Sequence, residues 1–428
     1  MAKHNGTPEL RIKNGFPIAC VKDIEKDIFN IASKFDFSDF RFCRHRVFNF
    51  KNVLFILLTV VLRGYFTISD VSKNISGKCI FNIDLANFTK QALFKKLRLI
   101  DPLWFKKVLF FFVKNTNARN SSLDIHPHKL RAFNRILKVD LSRLDRCPNN
   151  KFIITSDSIN FNKFYSKLGG VILTCTNLLN EKLCYIHYHQ KASRNDLAFK
   201  DILYSWLKKN DLICFDRGYN NYKFFNEIIS KGVSFIQPLH PSARYEIIKV
   251  MYQDNMICDS LIILSKSKKV KNIMRLVSVK IGDKTHNYIT SVTDTNKLNA
   301  KDIFLLYEKR WNIEKTFNYV KRTLNLSYLW SSDPNIIEIQ VYITFIIYNV
   351  MLNLIGDVSR LLNTDPERIS FHMIKKSFFM YTQHCDDYNS FLDFLVINHK
   401  KLDLIKPVKN YQKLKKELID LAFCESLF

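Results

Sequence analysis

Apolar positions recur at helical spacing through the first third of the chain. The segments NFKNVLFILLTVVLRGYF (49–66), TISDVSKNI (67–75), NFTKQALFKKLRLI (87–100) and DPLWFKKVLFFFVKN (101–115) read as short helices separated by polar turns. From about residue 150 the period shortens, and KFIITSDSINF (151–161), GGVILTCTNLL (169–179) and KLCYIHYHQK (182–191) follow one another as three strands, which suggests a meander. A helix (193–210), the strand DLICFDRGY (211–219), a second helix (221–232) and the strand VSFIQPL (233–239) come next. The order β-β-β-α-β-α-β predicts a mixed α/β sheet.

Residues 240–296 break this alternation with the runs DSLIILS (259–265), IMRLVSVKI (273–281) and HNYITSVTD (286–294), joined by lysine-rich KSKKVKN, and read as a β-rich insertion. A long helical pattern around YEKRWNIEKTFNYVKRTL (307–324), a very apolar helix at 336–356 and a tail of helices ending at 410–423 complete the chain. The expected division is a helical, basic region over 1–148, an α/β domain over 149–358 and a helical C-terminal region over 359–428.

Charge sharpens this outline. With 66 Lys+Arg against 39 Asp+Glu, the net +27 over 428 residues exceeds what solubility needs and points to a polyanionic partner, DNA or RNA or an anionic membrane. The basic excess is concentrated toward the front, where short helices with lysine-bearing turns suit a helix-turn-helix-like DNA reader or, more plainly, a helical core with a solvated basic face. A membrane span is disfavoured: VLFILLTVVL (53–62) stops at Arg63, and 339–356 carries Gln340, Asn349 and Asn353. The first residues lack the apolar stretch of a signal peptide, so a cytoplasmic location is expected. Ten cysteines without a CxxC pair read as reduced core residues.

If 306–324 is one helix, Leu306, Ile313, Phe317, Val320 and Leu324 share a narrow core stripe. Tyr307, Arg310, Glu314 and Lys321 then fall in a second stripe beside it, and Glu308, Lys309, Lys315 and Arg322 point toward solvent. The marginal four form either an ordinary charged border, with Arg310 and Glu314 paired at i,i+4, or a phosphate-gripping surface whose carboxylate holds a metal. Metal-assisted phosphoryl transfer needs further carboxylates. Asp157, after the run FIITS, and Asp216, ending LICF before RGY, are candidates if their strands are neighbours; alone, each reads as a turn or cap residue. His187 with His189, and the IHPH of 125–128, offer a weaker zinc alternative to exposed strand and turn histidines.

Tyr307, Arg310, Glu314 and Lys321 reproduce the Y-x2-R-x3-E-x6-K signature of bacterial insertion-sequence transposases of the DDE type. Asp157 in TSDSINF resembles that family's first catalytic aspartate and Asp216 in FDRGY its second, and the resemblance extends over roughly residues 50–350. SDSIN lacks the threonine often found after the first aspartate. The resemblance implies a ribonuclease H-like mixed sheet with a β-rich insertion, preceded by an all-helical DNA-binding region and followed by a helical C-terminal region. It further implies that Asp157, Asp216 and Glu314 hold two Mg²⁺ ions, for which Mn²⁺ can substitute, while Tyr307, Arg310 and Lys321 grip DNA phosphates. The implied partners are double-stranded element ends and target DNA, met by a homodimer associated with the bacterial nucleoid. Two other readings stand beside it: a metal-dependent nuclease without strand transfer, and a non-catalytic DNA-binding remnant.

Overall fold

A computed structural model describes residues 49–68, 79–80, 83–84, 89–116, 118–145, 147, 168–264, 273–381, 388–408 and 410–424. The expected strand at 151–161, and with it Asp157, lies outside these residues, as does most of 67–75. A nine-stranded sheet organises the rest. Its strands are β1 Arg135–Arg143, β2 Val171–Asn177, β3 Leu183–His189, β4 Asp211–Cys214, β5 Ser234–Pro238, β6 Tyr245–Gln253, β7 Ile257–Leu264, β8 Ile273–Ile281 and β9 Lys284–Thr290. They lie in the order β3-β2-β1-β4-β5-β9-β8-β7-β6.

Two kinds of pairing meet in this sheet. β1 runs parallel to β4 and β4 to β5, whereas β2 and β3 fold back antiparallel as a meander on one side. On the other side β9 pairs antiparallel with β5 through Tyr288–Pro238 and Thr290–Ile236, so the four strands between 245 and 290 extend the sheet and do not form a separate lobe. Three of these four match the anticipated runs. The fourth, β6, carries side chains exposed at nearly every position and so lacks the half-buried alternation by which a strand is recognised in sequence. The sheet also begins upstream of the boundary expected at residue 149, because β1, its first strand along the chain, spans Arg135–Arg143.

Helices α1 Phe50–Leu62, α2 Lys90–Leu99 and α3 Pro102–Lys114 follow the expected apolar periodicity closely, and a short α4 spans Pro127–Arg131. The first three start at side-chain caps: Asn49, Thr89 and Asp101 each accept a hydrogen bond from a first-turn backbone N–H. They pack on α9, Pro334–Leu361, whose most apolar 18-residue stretch is 94% buried inside the protein. Of the polar interruptions in α9, Gln340 accepts from Trp330 N and donates to Tyr328 O, and Asn349 donates to Phe345 O. Helices α10 Phe371–Tyr381 and α11 Tyr388–Ile397 add to this first core.

The two faces of the sheet are covered separately. Helices α5 Lys200–Trp206 and α6 Tyr222–Ser230 pack on Leu137, Val139, Ile213 and Phe215. The opposite face, carrying Ile136, Leu212 and Cys214, is covered by α7 Ala300–Arg310 and the end of α12 Asn410–Cys424.

The long helix expected through 306–324 is divided. It tightens at Trp311, whose N–H bonds back to Glu308 O, resumes as α8 Asn312–Asn318, then widens into a π-turn over Tyr319–Thr323. All five residues of the expected core stripe are buried, but Leu306 belongs to the core beneath α7 while Ile313, Phe317, Val320 and Leu324 belong to the core around α9. The break therefore lies where the chain passes from one core to another. Lys309 departs from the expected solvent orientation: it is buried and its Nζ lies 2.7 Å from Glu367.

Candidate active site

Strand register brings two aspartates together. Lys138 of β1 stands opposite Cys214 of β4, so Asp140 and Asp216, each two residues farther along parallel strands, emerge on the same face just where the pairing ends. Asp140 accepts a hydrogen bond from Leu141 N at 2.8 Å. Asp216 opens the 3-10 turn Arg217–Tyr219 and accepts from Gly218 N at 2.9 Å. A third carboxylate, Asp196, comes from the turn Asp196–Phe199 leading into α5. One ligand oxygen from each of the three lies within 4.8 Å of the others.

Burial pushes the Asp140 carboxyl up to about 7, against the opposing pull of Arg310, and the neighbouring Asp216 charge adds to the rise. Asp196 is likewise raised to about 6, first by burial and then by Asp216. Its Oδ1 is buried without a hydrogen-bond partner. Carboxylates crowded in this way, with no basic group among them forming an ion pair, are the donor set of a hard divalent cation, and the residues present fit one.

Helix α7 supplies the wall above them. Its start is fixed by a capping box in which Asn299 and Asp302 exchange side-chain and backbone hydrogen bonds at 2.8 and 2.9 Å, and Lys129 Nζ binds Asp302 at 2.6 Å. The last turn carries Tyr307 and Arg310, both buried. Arg310 Nε donates to Tyr307 Oη at 3.1 Å, and its guanidinium lies 5.0 Å from the Trp311 ring centroid. Arg310 Nη1 is buried with no partner, and no ion pair joins Arg310 to Glu314. Burial raises the Tyr307 phenol well above its ordinary range, with Arg310 opposing.

Of the residues expected from sequence, Asp216, Glu314, Tyr307 and Arg310 line one open cleft of about 720 Å³, together with Asp140. Glu308, expected to face solvent, lines the same cleft. Glu314 is exposed and stands outside the tight aspartate group. Lys321, displaced by the π-turn, donates from Nζ to the carbonyl of Arg143 at the end of β1. The histidine pairs do not converge on ligands. His187 and His189 lie edge-on to Phe199 at 5.9 and 5.8 Å, burial pushes His187 down to about 4, and His126 caps α4. Among the described residues the only group of three metal-ligating side chains is Asp140, Asp196 and Asp216.

A mixed α/β sheet with helices on both faces and carboxylates at neighbouring strand ends fits a DDE, ribonuclease H-like domain. Residues 164–350 match the family described as Transposase DDE domain. The Escherichia coli strain K12 protein "Transposase InsG for insertion sequence element IS4" is 26% identical over 195 residues, 42% of this chain and 43% of that relative's length. Over these stretches the chain is similar to transposases of the DDE type, and it spans under half the length of the curated relative it matches. The family match begins after residues 140 and 157, so it includes Asp196, Asp216 and Glu314 but neither candidate for the first aspartate.

Proposed function

We propose that the protein is a DNA transposase that binds the terminal inverted repeats of its element, cleaves the ends to free 3′-hydroxyls and joins them to target DNA. The observation that carries this reading is the single cleft in which Asp140 and Asp216 meet Glu314, Tyr307 and Arg310. In this reading Asp140 takes the place that the resemblance gave to Asp157, because β1 is the strand parallel to the one bearing Asp216. Two Mg²⁺ ions, or Mn²⁺ in their place, held by Asp140, Asp216 and Glu314, would supply activation of a water or 3′-hydroxyl and stabilisation of the leaving oxygen.

The chain's own residues do the rest. Arg310 presents an unpartnered guanidinium N–H on the wall of the cleft, where a phosphate oxygen accepts a charge-assisted hydrogen bond. Tyr307 holds that guanidinium in place and excludes water behind it. Lys321, anchored on the β1 carbonyl, adds positive charge along the DNA path. The net +27 attracts the duplex, and affinity for it falls steeply with salt. The protein acts as a homodimer, each copy at one element end.

The test is incubation of the purified protein with Mg²⁺, a duplex ending in the element's terminal repeat and a second target duplex. End cleavage and joining are expected; Asp140→Asn, Asp216→Asn and Glu314→Gln abolish both, while Asp157→Asn retains both. Cleavage without joining would replace the reading with a nuclease, and binding without cleavage with a remnant. Loss of both steps in Asp157→Asn but not in Asp140→Asn would return the first-ligand role to Asp157.

A further inference from the structure

Asp196 is not among the residues that the transposase reading requires, yet its surroundings are those of a ligand and not of a structural aspartate. It sits at the start of a turn whose cap is supplied by the neighbouring Asn195, which accepts from Ala198 N at 3.2 Å, so Asp196 is not needed for capping. Its buried Oδ1 meets no donor. A carboxylate removed from water in this way is costly unless a cation or a set of donors compensates it.

Two independent features of the next segment point the same way. Tyr219 is fully buried and its hydroxyl has no hydrogen-bond partner, while the charges that act on it are, in order, Asp196, Asp216 and Asp140. Burial pushes this phenol up first and the three carboxylate charges add to the rise, so an unpaired O–H is buried within reach of their field. At Gly218 a Cβ would stand 2.6 Å from Asp196 Oδ2 and 3.1 Å from Asp216 Oδ1. Only a residue without a side chain lets the backbone pass so close to both carboxylates.

We propose that Asp196 is a fourth carboxylate ligand of this site, so that Asp140, Asp196 and Asp216 together bind a divalent cation before DNA arrives, with Glu314 outside that group. The proposal rests on the metal-dependent reading above and adds to it. Glu314 then serves the DNA-bound state, and Asp196 serves cation retention in the free protein.

The test reads cation binding, not catalysis. Full-length protein without DNA is titrated with Mn²⁺, following free Mn²⁺ by electron paramagnetic resonance, and the Mn²⁺-dependent rise in melting temperature is recorded in parallel. Asp196→Asn is expected to weaken Mn²⁺ binding by about tenfold or more, with an unchanged circular dichroism spectrum and no fall in the cation-free melting temperature. Glu314→Gln should bind Mn²⁺ nearly as the parent does. Gly218→Ala retains every carboxylate but crowds Asp196, and is expected to weaken Mn²⁺ binding as well; it decides the matter should Asp196→Asn fail to fold. Parental Mn²⁺ affinity in Asp196→Asn, with affinity lost in Asp216→Asn, would overturn the role of Asp196 alone. Parental affinity in both would remove the metal centre itself and the transposase mechanism with it.

Discussion

Two buried arginines mark two differently finished regions of one sheet. Arg275, in the strands that extend the sheet, is fully buried and complete: it binds Asp259 through two hydrogen bonds of 2.7 and 2.6 Å, and Leu298 O through a third of 2.6 Å. Arg310, at the end of α7, is 4% exposed and makes one hydrogen bond, to a neutral phenol, while one of its terminal nitrogens has no partner. The same contrast holds among acids, since Asp259 is paired whereas Asp196 has an orphaned oxygen. A buried charge whose bonds are all made serves the fold; one left incomplete beside a cleft is held for something that comes from outside.

The sharpest way to break this contrast is through the aspartates. Asp216→Asn should abolish end cleavage, a fall on the order of 10³-fold or more and so at least about 4 kcal/mol of transition-state stabilisation, without lowering the melting temperature. A loss of stability matching the loss of activity would place Asp216 with the structural charges. Asp259→Ala makes the converse statement. It strands Arg275 in the interior and should cost about 3–5 kcal/mol, read as a fall in the urea midpoint. Arg310→Ala comes next, with cleavage reduced by about 10–100-fold and a urea midpoint that moves much less than that of Asp259→Ala. An equal shift in the two variants would erase the distinction.

The smallest effect is one of pH. Asp140 and Asp196, raised to about 7 and about 6, keep their protons in the native chain over a range where the unfolded chain has released them. The unfolded state then binds fewer protons, so cation-free stability is greatest at low pH and declines as pH rises from about 4 to about 7. Asp140→Asn should flatten this decline. Urea midpoints of the two proteins in the presence of a chelator, compared across that window, check the sign.

Much of the sheet was legible because β2, β3, β4, β5, β7, β8 and β9 are built from apolar runs bounded by polar turns. Asp216 could be read because it follows such a run directly. β1 differs from these runs: in RILKVDLSR, Lys138, Asp140 and Ser142 alternate with Leu137, Val139 and Leu141, the pattern of a strand with one solvated face and not of one buried on both. Lys138 is nevertheless fully buried, because it pairs with Glu181, a residue 43 positions away whose proximity only the fold creates. The signal that could have found Asp140 was its position, a charged residue within a run otherwise of strand-forming residues. Asp196 was concealed in SRND, which reads as a helix start. On the YEKRWNIEKTFNYVKR segment a constant 100° step placed Tyr307 and Arg310 at the edge of the core, yet both lie inside it. The tightening at Trp311 and the widening at Tyr319–Thr323 displace everything downstream, and sequence periodicity contains no term for either.

The division at Trp311 makes the cleft a joint between two separately packed bodies. Arg310 and Tyr307 are seated by the core beneath α7, whereas Glu314 is carried on a segment whose neighbours Ile313 and Phe317 anchor it among the N-terminal helices and α9. The core that carries Glu314 is thereby the one that holds the N-terminal helices, and it reaches the sheet through Ile172, Leu183 and Ile186 of β2 and β3. Second-site variants should accordingly fall into two genetic classes: packing changes around α1 and α9 that compensate alterations at Glu314, and changes beneath α7 that compensate alterations at Arg310, with little exchange between them.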